Sequence, residues 1–275
     1  MTEKIKSRIY KNDLKFSNNF DFEKTEFESD VVKNLYNLHK NKPKIEMRIT
    51  DSKMENYEYL DLSNLDLDDE LLEKLIKLDK IKYILNKIKY LDLSTNNLTK
   101  YPSLQNYKNI IYLSISKNNI TGSINENNLI ELTCDFNKIT KIESSSITKL
   151  SANNNLLKNV DVPNIKVLHI NNNEISNLDE YFNLEYLECI ENKIKTIKNL
   201  FRLQEIYVGN NQIETIENMP SLMILNCVNN PIKRINYFEN VKLILASTPN
   251  ISSKYKIANI TKMKDDYLIN IHKNN

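Results

Sequence analysis

Three histidines, three cysteines and two glycines are the residues from which this 275-residue chain could build a metal, nucleophilic or phosphate-binding site. His39, His169 and His272 share no ligand spacing, so they make no zinc motif. Cys134, Cys189 and Cys227 each stand in an apolar alternation, where cysteine behaves as a small buried hydrophobe. Gly122 and Gly209 are isolated, and no phosphate-cradling loop can be assembled from them. No Ser-His-Asp or Cys-His arrangement is visible. The chain is therefore expected to be no enzyme and to use neither cofactor nor metal. What remains is recognition chemistry. Tyrosines and carboxylates recur along the chain at fixed offsets, the first able to anchor a partner and the second to steer a cationic one.

Those offsets belong to a repeat. The chain reads IKVLHINNNEIS from Ile165, LEYLECIENKIK from Leu184, LQEIYVGNNQIE from Leu203 and LMILNCVNNPIK from Leu222. The common form is L-x-x-L-x-L-x-x-N-x-I. Its asparagine falls at Asn96, Asn118, Asn137, Asn155, Asn173, Asn192, Asn211 and Asn230, at intervals of 22, 19, 18, 18, 19, 19 and 19 residues. Strand side chains alternate, so the L-x-L pair points one way out of a short strand. One coil cannot bury its apolar residues alone, but stacked coils can. The asparagine has both amide donors and an acceptor, and so can pair backbone groups stranded where the chain turns inward. A ladder of buried asparagines is expected.

The pattern resembles the leucine-rich repeat family. The resemblance implies an α/β repeat solenoid, a horseshoe or arc with a concave parallel β-sheet. Coils of 18 or 19 residues leave no room for a helix on the convex side, so extended or 3₁₀ segments are expected there from about Thr121. Ile142, Val160, Leu178, Ile197, Ile216 and Ile235 recur three residues past the isoleucine and should fill that side of the core. One coil is longer. After YEYLDLSNLDL, where Leu65 replaces the asparagine, the apolar positions Leu71, Leu72, Leu75, Leu78, Ile81 and Ile84 fit a helix, with Asp68 or Asp69 as its N-cap.

About ten coils should span residues 57–252, between caps at 1–56 and 253–275. The N-terminal cap is expected to hold a helix over about 29–40, with Val31, Val32, Leu35 and Leu38 at helical spacing. A short strand over 45–49 should follow, from the alternation of Ile45, Met47 and Ile49. The C-terminal cap reads as an amphipathic helix through Ile257, Ile260, Met263 and Leu268. The last coil has two possible registers: Val241, Ile244, Ala246 and Ile251 inward, or Leu243 and Leu245.

The positions flanking the buried pair should form the exposed concave face. They bring together Tyr90, Asp92, Tyr112, Glu131, Asp135, Phe136, His169, Tyr186, Glu188, Ile190, Glu191, Glu205, Tyr207, Ile224, Asn226 and Val228. With Asp61 the face carries seven acids against Lys117 and Lys149, a difference of −5 on a chain of formal charge +2. The group Tyr186, Ile190, Tyr207, Ile224 and Val228 offers its most continuous apolar surface. Family resemblance implies an interaction role, and the columns imply a partner protein with a basic segment. The alternative is nucleic-acid or anionic-membrane binding through basic convex surfaces, with lysines crowded at Lys74, Lys77, Lys80, Lys82, Lys87 and Lys89. Docking on an enzyme as a regulatory subunit is a special case of the first. The charged N-terminus has no secretory signal, no apolar run reaches membrane length, and no cysteine-rich cap is present. A monomeric, cytoplasmic protein is expected, and the Lys, Asn and Ile bias is that of an AT-rich genome.

Overall fold

Each coil contributes a short strand that buries its middle residue and turns the flanking pair outward. A computed structural model describes residues 43–48, 51, 58–178, 181–248, 250, 252, 257–262 and 266–271. The strands in chain order are β1 (Tyr59–Asp61), β2 (Tyr90–Asp92), β3 (Tyr112–Ser114), β4 (Thr121–Asn125), β5 (Glu131–Thr133), β6 (Lys138–Glu143), β7 (Lys149–Ser151), β8 (Asn159–Asp161) and β9 (Val167–His169). They continue as β10 (Tyr186–Glu188), β11 (Thr196–Lys198), β12 (Glu205–Tyr207), β13 (Thr215–Glu217), β14 (Ile224–Asn226), β15 (Leu243–Ala246), β16 (Ile257–Lys262) and β17 (Tyr267–Ile271).

The main sheet runs β1-β2-β3-β5-β7-β9-β10-β12-β14-β15-β17-β16, parallel as far as β15. Leu60, Leu91, Leu113, Leu132, Leu150, Leu168, Leu187, Ile206, Leu225 and Ile244 pair in direct register, and none is more than 2% exposed. A one-residue slip would turn this whole column to solvent. Each such side chain contributes about 1.5–3 kcal/mol by leaving water, so the register is strongly fixed. It also settles the last coil: Leu225 pairs with Ile244, Val241 and Ala246 are buried, and Leu243 and Leu245 face outward. Pro249 and Ile251 lie outside the described residues.

The asparagines lie beneath the turn that follows each strand. Asn173 Oδ1 accepts from Leu157 N (3.0 Å), while its Nδ2 donates to Ala152 O (2.9 Å) and Ile170 O (3.1 Å). Each amide thus ties its own turn to the preceding coil. Asn96 does the same for the first coil, accepting from Leu65 N and Leu67 N, so Leu65 itself needs no amide and is buried as an apolar residue.

The convex side is extended, as the coil length requires. β4, β6 and β8 form one small sheet and β11 and β13 another. Ile142, Val160, Leu178, Ile197, Ile216 and Ile235 are all buried beneath it. The long coil holds two helices, Asp69–Lys77 and Asp79–Leu85, broken where Leu78 takes an extended conformation. Asp68 caps the first, its carboxylate accepting from Leu71 N at 2.8 Å.

The caps differ from the periodicity reading. Residues 43–48 are helical, not a strand: Ile45 is buried but Met47 is 51% exposed. Pro43 opens this helix, where its missing N–H costs nothing. The helix expected over 29–40 lies outside the described residues. At the other end the described residues Ile257, Ile260 and Leu268 lie in strands, not in an amphipathic helix. β16 and β17 form an antiparallel hairpin, and β17 pairs with β15, Ile269 opposite Ile244. The edge of β15 would otherwise expose unpaired backbone groups, and Ile269, fully buried, covers the last apolar layer. A short apolar run at mixed spacing fits either element; the open sheet edge decides it.

Candidate protein-interaction face

The outward residues of the main sheet stack in columns. Near its N-terminal end the rings of Tyr59 and Tyr90 lie 5.0 Å apart, and those of Tyr90 and Tyr112 lie 6.1 Å apart and stacked. Burial raises the Tyr90 hydroxyl above its ordinary pKa, with Asp92 and Glu131 adding to the shift, so the ring stays neutral. The acids here have partners. The Arg48 guanidinium, from outside the repeats, bonds Asp61. Lys149 pairs with Glu131 at 2.9 Å. Asp61 and Asp92 each accept a backbone N–H two residues on, from Ser63 and Ser94, at 2.8 Å.

A second ladder runs along the next column. Ser116 Oγ accepts from Asp135 N (3.0 Å), Asp135 Oδ1 from Asn153 N (2.6 Å), Asn153 Oδ1 from Asn171 N (2.8 Å) and Asn171 Oδ1 from Ile190 N (2.7 Å). Asp135 also accepts from Ser151 Oγ. Its carboxylate therefore organises backbone as well as facing solvent. Sequence reading counted this column only as exposed surface. Its signal was available, since four successive coils place a side-chain acceptor at one offset. The ladder stops at Ile190, and the column continues as Gly209 and Val228. A Cβ on Gly209 would come within 3.0 Å of Val228 Cγ2, so glycine lets the valine pack close.

The column beyond has a left-handed backbone in the nine coils from β1 to β14. Asn64, Asn154, Asn172, Asn210 and Asn229 tolerate this φ of 52–57°, but Thr95, Lys117, Phe136 and Glu191 hold it too. Phe136 is the notable case, with φ 56° and a ring 53% exposed. Such strain persists where something else favours the residue. Phe136→Asn is expected to stabilise the fold by about 1 kcal/mol, read as a shifted urea midpoint. A loss of stability would show that the ring packs usefully in the free protein.

The C-terminal half is built differently. His169 and Tyr186 rings lie 5.2 Å apart, and Tyr186 and Tyr207 5.8 Å apart. Glu188 receives the Tyr186 hydroxyl, His169 Nδ1 at 3.1 Å and Asn171 Nδ2 at 3.1 Å. Burial opposes ionisation of Glu188, but these hydrogen bonds outweigh it and hold the carboxyl below its ordinary value. Tyr207 Oη donates to Glu205 at 3.2 Å. Ile190, Ile224 and Val228 are half-buried beside this cluster, so the apolar surface is less open than the columns alone suggested. Asn226 Oδ1 accepts from Val228 N at 3.4 Å. From Val167 to Asn229 the outward columns hold Glu188, Glu191 and Glu205 and no lysine or arginine. The negative charge left uncompensated by lysine or arginine is thus concentrated over β9, β10, β12 and β14.

Other chemistry-bearing residues are absorbed by the fold. Cys134, Cys189 and Cys227 are buried, and burial raises every thiol, that of Cys227 to about 12. Native protein should resist maleimide at about pH 8 while denatured protein labels on all three. Rapid native labelling would mean the coils open readily. On the long coil Lys74, Lys77 and Lys89 pair with Glu70, Glu73 and Glu58, and Lys87 lies over the Tyr83 ring. Three lysines of that cluster are thus met by carboxylates. Among the described residues, no group of three or more His, Cys, Asp or Glu could hold a metal ion, and no helix is long and apolar enough to cross a membrane.

The fold is that of leucine-rich-repeat domains. The chain is similar to the LRIM1 leucine-rich repeat domain with a TM-score of 0.58 and 20% identity, over 71% of this chain and 72% of that one. It is similar to YopM from Yersinia enterocolitica WA-314 with a TM-score of 0.63 and 21% identity, over 77% of this chain and 47% of that one. For the leucine-rich repeat domain of APL1B the values are 0.50 and 18%, over 65% and 56%. The chain thus spans about half the length of the last two. No family model and no curated protein matches the sequence.

Proposed function

We propose that this chain is a non-enzymatic protein-binding module whose concave face takes a basic partner segment over β9, β10, β12 and β14. The observation that carries the reading is the pairing there of stacked His169, Tyr186 and Tyr207 with three carboxylates that no lysine or arginine of the face neutralises. Aromatic side chains of this kind are enriched among binding hot spots. The carboxylates would steer a cationic segment and disfavour acidic competitors. Phe136, Ile190, Ile224, Asn226 and Val228 would complete the surface, and the N-terminal residues Tyr90, Asp92, Tyr112 and Glu131 would extend it. The solenoid likeness supports an interaction role in general, and the cytoplasm is the compartment we propose for it.

The test is capture from lysate of the source cell by wild type and by the Tyr186→Ala, Tyr207→Ala double variant. Both are first shown by circular dichroism to be equally folded. Proteins retained by wild type and lost by the variant support the concave site. Capture that ignores both substitutions but disappears with salt or nuclease would instead place the function on the basic surfaces.

A further inference from the structure

The turn entering the main strand sets one residue of each of five successive coils in a lateral column. Backbone bonds from Ile165 N to Val162 O, Leu184 N to Tyr181 O, Leu203 N to Leu200 O, Leu222 N to Met219 O and Val241 N to Phe238 O define it. The residue after each acceptor is Pro163, Phe182, Phe201, Pro220 and Glu239, all exposed. Phe182 and Phe201 are 59% and 47% exposed, an unusual outlay of aromatic surface in adjacent coils. This edge is separate from the concave columns.

Where the column ends, the surface opens into a groove of about 570 Å³, a size usual for ligand sites. Its cause is local. β11 and β13 pair on the convex side, and Asn218 Nδ2 donates to Asn199 Oδ1 at 2.9 Å. The next coil does not continue as a strand: residues 236–238 are irregular, and Asn236 reaches back by its side chain to Ile216 O. The gap is walled by Phe201, Pro220 and Tyr237 and carries the exposed carboxylates of Glu217 and Glu239. Among the described residues neither carboxylate forms an ion pair.

We propose that this lateral groove binds an arginine side chain presented by a partner protein. A guanidinium is planar and weakly hydrated, stacks on aromatic faces and donates from its edge to carboxylates. The groove offers both surfaces, Phe201 and Tyr237 for the plane and Glu217 and Glu239 for the charge. A lysine would meet the charge but not the plane. A purely apolar segment would leave two carboxylates facing it.

The probe is the tripeptide acetyl-Gly-Arg-Gly-amide, titrated into ¹⁵N-labelled full chain, with the citrulline peptide as its neutral isostere. Amide shifts are expected at Phe201, at residues 217–219 and at residues 236–239, as a set distinct from any on the concave columns. The groove shifts should weaken at least about tenfold with citrulline and in Glu217→Gln, Glu239→Gln, and any shifts of the concave columns are followed separately. The spectrum itself reports whether each variant is folded. No shift in this groove, equal shifts with citrulline, or binding indifferent to the glutamine substitutions would overturn the proposal. Shifts found only on the concave columns would place the arginine there and overturn the proposal.

Discussion

Asn173→Ala is expected to cost about 2–3 kcal/mol, more than most single substitutions in this chain. The amide is buried and holds Leu157 N, Ala152 O and Ile170 O. Removing it strands Leu157 N, at about 1–3 kcal/mol, and leaves Ala152 O and Ile170 O with only the amides of Asn155 and Asn192 as side-chain donors. A solenoid coil is stabilised by its neighbours, so the damage should be local first. Hydrogen exchange should rise in the coils containing β7 and β9 before the ends respond. Asn172→Gly is the contrast. Asn172 is exposed, and its φ of 57° suits glycine, so that change should stay within about 0.5 kcal/mol. Equal losses in the two proteins would mean that the amide column is no more than a preference for asparagine in turns.

The second large effect concerns binding. Tyr186→Ala and Tyr207→Ala should each weaken a basic partner by about 2 kcal/mol or more, roughly 30-fold. Both rings lie over the half of the face where no lysine or arginine balances Glu188, Glu191 and Glu205. Tyr112→Ala should cost less, because Tyr112 sits near Glu131, whose charge Lys149 already meets. Fluorescence anisotropy with a labelled basic peptide checks both. A larger loss from Tyr112 than from Tyr186 would move the site to the other end of the sheet.

Much of the fold was legible because its determinants are periodic. The buried leucines and the ladder asparagines repeat at one offset, and a strand has only two faces. The long coil's cap was narrowed to Asp68 or Asp69, since a carboxylate before an apolar helical run has a simple use, and Asp68 takes it. What was hidden lies where the period breaks. Ile257, Ile260 and Leu268 fit a helix by spacing, but the open edge of β15 is a tertiary fact that one segment cannot announce. Ile45 and Met47 alternate in sequence without alternating in burial.

The face was half legible. Its columns were correct in register, yet a column count treats every carboxylate as free. Arg48 reaches Asp61 from outside the repeats, and Asp135 is engaged by Asn153 N and Ser151 Oγ. These contacts leave most of the uncompensated charge in the C-terminal half. The lateral aromatic column escaped because it lies outside the consensus positions, although Phe182 and Phe201 stand 19 residues apart like the repeat itself.

The most direct test of the central claim is selection of random-sequence displayed peptides on the wild-type protein. The Tyr186→Ala, Tyr207→Ala variant serves for counter-selection, after its folding is verified. The account predicts enrichment of peptides rich in lysine or arginine that bind wild type and fail on the variant. Enrichment of neutral or acidic peptides, or of basic ones that bind both proteins equally, would contradict it.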